Sequence, residues 1–160
     1  MLQYKEHKDA QNFFKAVNHF YLNRPELWEI DFDWSGFEWI SNDDYTQSVI
    51  AFRRKAKNGH ELVAVCNFVP VQRDNYKIGV PLWGEWAEVF TSDSKEFGGE
   101  GVTNGRAIST IDEPMHGCEQ SVELTLPANS VFFLECVKPG VKPRPKALKK
   151  EKPEPALQTE

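Results

Sequence analysis

The sequence predicts a mainly β protein, an antiparallel Greek-key β-sandwich preceded by one helix. From position 48 onward, β-branched and aromatic residues gather in short runs with a period near two, which is typical of half-buried strands. Turn residues follow so closely that crossover helices have no room, so hairpins and Greek-key crossings fit best. With 160 residues, 40% of them hydrophobic, the chain can form one ordinary domain with a core.

The predicted helix covers residues 7–22. Its apolar residues recur at spacings of three and four, which predicts one apolar face; they are Phe13, Phe14, Val17, Phe20 and Tyr21. Asn23 and Pro25 are expected to end the helix, because Asn tolerates a left-handed cap and proline cannot continue the hydrogen-bond ladder. No partner helix is predicted, so the aromatic stripe must pack on the sheet or on something outside the chain.

Six strands are predicted, each beside a turn residue such as Pro70 or Pro127. They are residues 48–54, 61–68, 76–80, 86–91, 121–126 and 130–137. Alternation is clearest in the fifth, where Val122, Leu124 and Leu126 share one face. This pattern is typical of an antiparallel strand with one face in a core and the other in water.

Charge is distributed unevenly along the chain. Residues 138–160 carry seven Lys or Arg and three Glu, so from the overall net charge of −5 the remaining residues have −9. A negatively charged body lacks the clustered cations that duplex binding needs, so nucleic acid is excluded as a partner. The same basic segment holds five of the ten prolines and little apolar surface, which predicts a disordered tail over 138–160.

The expected compartment is the cytoplasm. No 18-residue apolar run and no signal-like segment is visible, so neither a membrane partner nor secretion is predicted. Cys66, Cys118 and Cys136 are an odd number of cysteines, which favours reduced thiols.

No catalytic residue, metal site or cofactor is predicted. Transfer of a sugar needs two facing carboxyl groups, one of them kept protonated. The available pairs are Asp31/Asp33, Asp43/Asp44 and Glu96/Glu100. All lie in polar stretches without the apolar neighbours that raise a carboxyl pKa, so we expect them to be solvated. His116 and Cys118 could supply two zinc ligands, but no second pair stands at ligand spacing.

Aromatic residues are densest between the helix and the first predicted strand; they are Trp28, Phe32, Trp34, Phe37, Trp39 and Tyr45. Most are expected in the core. Trp34 and Trp39, beside Asp33 and Glu38, are predicted to be partly exposed, and an exposed Trp beside carboxylates is typical of a sugar-binding site. Two alternatives stay open for Trp39: burial with Phe37, or stacking on a glucan.

Several motifs together identify a family. They are Asn18-His19-Phe20-Tyr21, Asp31-Phe32-Asp33, Gly36-Phe37-Glu38-Trp39-Ile40, Asn67-Phe68-Val69-Pro70-Val71, Tyr76-Lys77-Ile78-Gly79-Val80-Pro81, Ser92-Asp93-Ser94 and Leu124-Thr125-Leu126-Pro127. In this order and spacing they resemble the C-terminal part of bacterial glycogen (1,4-alpha-glucan) branching enzymes, members of the α-amylase superfamily. The chain departs from the family pattern at Thr91 and across the loop 98–104.

The resemblance implies a domain division. Residues 1–24 would be the last helix of a truncated (β/α)₈ barrel, 25–47 a connecting segment, and 48–137 an all-β C-terminal domain, with the tail after it. In such enzymes the catalytic carboxylates lie on loops at the barrel strands, upstream of Met1. None of them can be carried onto this chain, which is therefore predicted to be inactive alone.

The resemblance also implies partners and a function. The parent enzyme transfers α-1,4-glucan segments to form α-1,6 branches in glycogen biosynthesis, and the β-domain would support the barrel and offer a secondary glucan site. Expected partners are α-glucan (glycogen) and the missing barrel, and the exposed helix is a candidate for self-association. A stand-alone carbohydrate-binding module and a purely structural β-domain are the alternatives.

Overall fold

The computed structural model describes residues 4–143, which form one α-helix and eight strands. The elements are α1 (Lys5–Leu22), β1 (Phe37–Asp44), β2 (Val49–Lys55), β3 (Glu61–Asn67), β4 (Arg73–Val80), β5 (Gly84–Thr91), β6 (Ile108–Ser109), β7 (Gln120–Leu126) and β8 (Ser130–Pro139). Short 3₁₀ helices lie at Pro25–Leu27, Trp34–Gly36 and Lys95–Phe97. The predicted class, mainly antiparallel β with one preceding helix, is confirmed.

Two sheets form the domain. The larger has six strands in the order β1-β2-β3-β8-β5-β6, and β4 pairs with β7 in a second sheet. Every pairing is antiparallel. The chain leaves the large sheet after β3 to form β4, returns as β5 and β6, and leaves again as β7. It ends as β8, which lies between β3 and β5, so these central neighbours are not sequential, as in Greek-key connections.

The core lies between the two sheets and is built from alternate residues of their strands. Its largest fully buried side chains include Trp86, Phe132, Ile78, Leu124 and Leu126. Strand β3 is buried on both faces, from Leu62 to Asn67, because the core covers one face and the 3₁₀ helix Pro25–Leu27 contacts the other side of the sheet. This central strand therefore reads as a continuous apolar run rather than as an alternation.

All six predicted strands are present, but β1 and β6 were not predicted. Strand β1 lies inside the stretch 25–47 that the sequence indicated as a connection. Its second half, Ser41 to Asp44, consists of residues with low β propensity, and its pairing with β2 is interrupted by register shifts after Trp39 and after Ser41. Pairing with β2 overrides these weak local preferences.

The C-terminal boundary also differs from the prediction. Strand β8 continues to Pro139, and Lys138 and Pro139 pair with Glu85 and Gly84 of β5. The first residues of the predicted tail 138–160 are therefore part of the sheet, because β5 offers them an unpaired edge. Residues 144–160, where the rest of that prediction falls, lie outside the described residues.

Helix α1 ends where the sequence predicted. Asn23 caps it with φ −93° and ψ 3°, not in the expected left-handed conformation, and both its backbone N–H and its side-chain amide donate to the carbonyl of His19. The aromatic stripe, however, is divided between two directions. The Phe20 ring lies 4.8 Å from that of Phe90 and 5.1 Å from that of Phe133, whereas Phe14 is 65% exposed. Part of the stripe therefore packs on the outer face of the large sheet, which is one of the two expected alternatives, and part of it stays exposed.

Candidate functional site

A cleft of about 460 Å³ opens at one end of the sandwich, where β4 ends and β7 begins. Strands β1 and β2 contribute one set of lining residues, which are Glu38, Trp39, Ile40 and Arg53. The connection from β4 to β5 and the segment before β7 contribute the others, which are Pro81, Leu82, Trp83 and residues 116–120. The cleft thus joins parts of the chain that are far apart in sequence.

Trp39 borders this cleft, but its side chain lies on the outer face of β1, opposite to the face that carries Glu38. Trp39 pairs with Phe52 of β2, and the register shift that follows makes Ile40 an extra residue on the β1 side; such bulges re-aim neighbouring side chains. The indole meets Phe37 edge-on at 4.9 Å and Phe52 at 5.9 Å. It nevertheless stays 49% exposed. Packing on one side and exposure on the other combine features of both sequence-based alternatives.

Trp34 lies elsewhere. It begins the 3₁₀ helix Trp34–Gly36, in which the Asp33 carboxylate accepts a 2.8 Å hydrogen bond from the backbone N–H of Ser35. Hydrogen bonds from Ser35 lower the pKa of Asp33. Trp34 is 88% exposed and does not line the cleft. The structure therefore places the two predicted tryptophans apart, with Trp39 at the edge of the cleft and Trp34 away from it.

Glu38 is held as a charged acceptor in the cleft. Its Oε2 accepts from Lys55 Nζ at 2.7 Å and from Arg53 Nη2 at 2.6 Å. These hydrogen bonds lower the pKa of Glu38, and the bond from Lys55 has the largest effect. The carboxylate therefore stays ionised at neutral pH. Arg53 is fixed in turn by a second bond from Nη1 to Glu61 at 3.1 Å.

His116 belongs to a tight turn between Met115 and Cys118. Both His116 and Gly117 have positive φ, 50° and 76°, and Nδ1 of His116 accepts from the backbone N–H of Gly79 at 3.3 Å. Burial lowers the pKa of His116, although Asp43 and Asp44 act in the opposite direction. The turn can lie this close to β4 only because position 79 has no Cβ, which would collide with the carbonyl oxygen of Met115.

Three residues of the cleft escaped the sequence analysis. The sequence indicated Arg53 only as part of a predicted strand and His116 only as a weak zinc ligand. Trp83 lay between two predicted strands. A polar strand residue and a Trp beside the turn Pro81-Leu82 were the available signals, but their proximity depends on how the two sheets pack.

Two members of the carboxylate pairs make structural contacts. Asp31 is bonded to Arg54 at 2.8 Å and Asp44 to Tyr76 at 2.6 Å. Within residues 4–143, no group of three or more His, Cys, Asp or Glu is placed to hold a metal ion. Burial raises the pKa of Cys66, Cys118 and Cys136, which keeps their thiols protonated. No helix in this part of the chain is long and apolar enough to cross a membrane.

Comparison with known proteins places this architecture in a family. The profile of the alpha amylase C-terminal all-beta domain matches residues 39–137. A 1,4-alpha-glucan branching enzyme GlgB of Halothermothrix orenii is 43% identical over 136 residues, 84% of this chain and 22% of the relative. The corresponding enzyme of Aromatoleum aromaticum is 42% identical over 84% of this chain and 21% of its own length, and that of Oceanobacillus iheyensis is 44% identical over 84% and 22%.

The chain therefore spans about a fifth of the length of these relatives. The matched region runs from Trp39 to Val137, so it contains the β-sandwich except the first two residues of β1 and the last two of β8. The family resemblance carried by the sequence motifs is confirmed, and the chain belongs to the alpha amylase C-terminal all-beta domain family, in the form found in bacterial glycogen branching enzymes.

Proposed function

We propose that the chain acts as the C-terminal domain of a 1,4-alpha-glucan branching enzyme, where it supports the catalytic barrel and provides a secondary glucan site. The observation that carries the glucan site is Trp39, a half-exposed indole on the outer face of β1 at the edge of the cleft, packed against Phe37 and Phe52. The catalytic activity belongs to the parent enzyme, since no facing carboxylate pair is present in the described residues.

Support for a barrel contact comes from the outer face of α1. Phe14 and Leu22 are 65% and 69% exposed there, and no residue of the helix is buried. Large apolar side chains on one exposed face mark an interface. We propose that this face, with Gln11, Lys15 and Asn18 beside the apolar pair, is the surface that the barrel covers and through which the isolated chain self-associates.

Support for glucan binding comes from the chemistry around Trp39. A sugar presents C–H groups on its ring faces and hydroxyls at its edges, so an aromatic face with adjacent polar groups suits it. Trp34, beside Asp33 and almost fully exposed, is proposed as a weaker second contact. It lacks the aromatic neighbours that Trp39 has in Phe37 and Phe52.

A cytoplasmic setting is part of the proposal. The three cysteines are free thiols in the structure, and their burial-raised pKa values make them unreactive. Reduced thiols suit a reducing compartment.

The test is native electrophoresis of the chain in gels with and without glycogen. We expect glycogen to retard the chain, Trp39→Ala to abolish most of the retardation and Trp34→Ala to reduce it slightly. Tyr45→Ala, which removes a similarly exposed aromatic outside the cleft, serves as the matched control. Unchanged mobility of the wild-type chain would leave a purely structural domain as the better description.

A further inference from the structure

We propose that the cleft is the docking site of a basic segment of this same chain, residues 144–150, which returns to the walls formed by Trp83 and Glu119. The occupant is intramolecular, and the indole of Trp39 takes no part, so the inference does not rest on the proposed glucan contact. Three features of the molecule support it: the place where the described chain ends, the charges of the segment and the side chains that line the cleft.

The described chain ends beside the cleft. The backbone N–H of Gly140 donates a 2.8 Å hydrogen bond to the carbonyl of Trp83, which lines the cleft. The indole Cδ1 of Trp83 lies 3.3 Å from the position that a Cβ on Gly140 would occupy, so the chain passes against this ring. Position 144 is four residues beyond Gly140 and can lie at most about 14 Å from it. The segment therefore begins within reach of the cleft.

Lys142 shows that this part of the chain already binds acids at the rim. Its Nζ pairs with Asp112 at 2.7 Å. The hydrogen bond to Asp112 raises the pKa of Lys142, and the charge of Glu119 adds to this effect, so the ammonium lies within electrostatic range of a residue that lines the cleft. Glu119 is exposed, and no Lys or Arg within residues 4–143 forms a salt bridge with it. It can therefore accept a further cation.

The segment supplies such cations. It contains four Lys or Arg and no acid, in the order Arg144-Pro145-Lys146-Ala147-Leu148-Lys149-Lys150. Residues 151–160 carry one Lys and three Glu, which from the overall net charge of −5 leaves −7 for residues 1–143. Attraction to the negatively charged body thus favours docking of the basic segment and not of the residues after it.

The lining of the cleft has acids to receive these cations. Glu38 and Glu119 stand against one cation, Arg53, and Arg53 is already bonded to Glu38 and to Glu61. An anionic ligand would find no free cationic clamp there, whereas a cationic segment meets an unpaired carboxylate. The charges of the cleft therefore select a basic occupant.

The prolines favour a backbone that presents the cations together. A residue before proline is held to extended conformations, which applies to Lys142, before Pro143, and to Arg144, before Pro145. Alternate residues of an extended chain share one side. Arg144 and Lys146 therefore follow Lys142 on the side that faces the acids of the rim, and extended proline-containing segments suit aromatic-lined grooves.

Two contacts define the docked state. A guanidinium stacks on an indole face more often than an ammonium does, so Arg144 is assigned to the Trp83 ring, and Lys146 is assigned to Glu119. A short tether gives an effective concentration in the millimolar range, so contacts too weak to hold a free peptide suffice here. Any other ligand of the cleft has to displace the segment.

The experiment compares NMR spectra of the ¹⁵N-labelled 160-residue chain with those of a chain that ends at Pro143, which keeps every described strand. The reporters are the indole N–H of Trp83 and the backbone amides of residues 116–120. We expect these signals to differ between the two chains and the indole signal of Trp28, outside the cleft, to stay unchanged. A chain that ends at Lys150 should reproduce the full-length spectrum.

Charge variants of full length separate docking from the mere presence of the segment. Lys146→Glu should move the Trp83 indole signal toward its position in the shortened chain, and addition of Glu119→Lys should move it back, because the exchanged charges attract again. Lys152→Glu, the same charge change beyond the basic segment, is the matched control and should have no effect. An ionic strength of about 1 M, where the Debye length is about 3 Å, should act like Lys146→Glu.

Several results would overturn the proposal. Identical signals of Trp83 and residues 116–120 in the full-length and shortened chains would show that the segment does not dock. A difference that Lys146→Glu fails to reproduce would reflect only the shortened chain and would equally exclude docking. Differences that vanish on dilution would place the segment in the cleft of a second copy, and differences confined to other surfaces would exclude the cleft.

Discussion

The hydroxyl of Tyr76 donates a 2.6 Å hydrogen bond to the carboxylate of Asp44, joining β4 of the small sheet to β1 of the large one. The other oxygen of Asp44 accepts from the Thr46 hydroxyl and the Gln47 N–H, which closes the turn before β2. Burial alone would raise the pKa of Asp44, but these hydrogen bonds lower it overall. Burial, and after it the bond to the Asp44 carboxylate, raises the pKa of Tyr76. One ionised carboxylate thus links β1, the edge strand of the large sheet, to β4 of the small sheet.

Tyr76→Phe should therefore lower the free energy of unfolding by about 1.5–3 kcal/mol, the usual value of a hydrogen bond to a charged group. The Asp44 pKa is lower in the folded state than in the unfolded state, so its contribution is present above the unfolded pKa and is lost as pH falls through the folded pKa. Urea unfolding between pH 7 and pH 3 should show a shallower acid loss in the variant than in the wild type. Tyr45→Phe, at an exposed tyrosine, is the control and should have no effect.

The anchoring of α1 gives a second prediction. Phe20 contacts Phe90 and Phe133, and Arg24 both lies over the Phe20 ring and pairs with Glu135 at 2.8 Å. Phe20→Ala should destabilise the helix contact by about 2 kcal/mol, from lost burial and lost ring pairing. Limited proteolysis should then cut the N-terminal segment faster than in Phe14→Ala. Equal cleavage rates of the two variants would show that the helix is not held through Phe20.

The outer face of the same helix gives a third prediction. Phe14 and Leu22 are exposed and should draw copies of the isolated chain together through the hydrophobic effect. Sedimentation at increasing concentration should show dimers or larger species, and Phe14→Ser should shift the population toward monomers. A wild-type chain that stays monomeric across the concentration range would contradict a self-associating face.

The fate of this stripe shows what the sequence could and could not predict. Phe13, Val17 and Phe20 follow each other at i, i+4 and i+7, so they share a side of the helix, and Phe14 is displaced from it by one residue. Spacing alone could therefore divide the stripe. Which half meets the sheet depends on the crossing of α1 over β5 and β8, and that is a property of tertiary packing.

The strands and the cleft also show that local patterns are predictable and tertiary contacts are not. Strands β2, β3, β7 and β8 were predictable because their apolar periodicity is strong. Strand β1 was not, because Asn42, Asp43 and Asp44 disfavour a strand locally. Trp39 could be singled out because a carboxylate residue, Glu38, precedes it. Trp83 could not, since it becomes part of a site only when the turn after β4 reaches the start of β1, two segments more than forty residues apart in the chain.

The fourth prediction concerns catalysis. The purified chain should form no α-1,6 linkages in amylose, because a retaining transfer needs a nucleophilic carboxylate and an acid/base partner about 5–5.5 Å apart, and the candidates Asp31 and Asp44 are engaged in structural contacts. The measurement is the count of branches released by a debranching enzyme after long incubation, against a protein-free blank. Branches above that blank would contradict the prediction.

The last prediction separates stability from binding at Trp39. A fully buried Trp loses about 3–5 kcal/mol on truncation to Ala. Trp39 is 49% exposed and keeps only the contacts with Phe37 and Phe52, so Trp39→Ala should cost about half as much, near 2 kcal/mol.

The matched comparison is Trp86, which is completely buried and donates its indole N–H to the Leu82 carbonyl at 3.1 Å. Trp86→Ala should show the full stability loss because it leaves a cavity and an unpaired carbonyl. At a temperature where all variants remain folded, Trp39→Ala should bind glycogen at least about tenfold more weakly, as expected for the loss of an aromatic anchor. A Trp39→Ala chain with a stability loss as large as that of Trp86→Ala and unchanged glycogen affinity would show that Trp39 is a core residue, because an indole that contacts the ligand cannot be removed without weakening the complex.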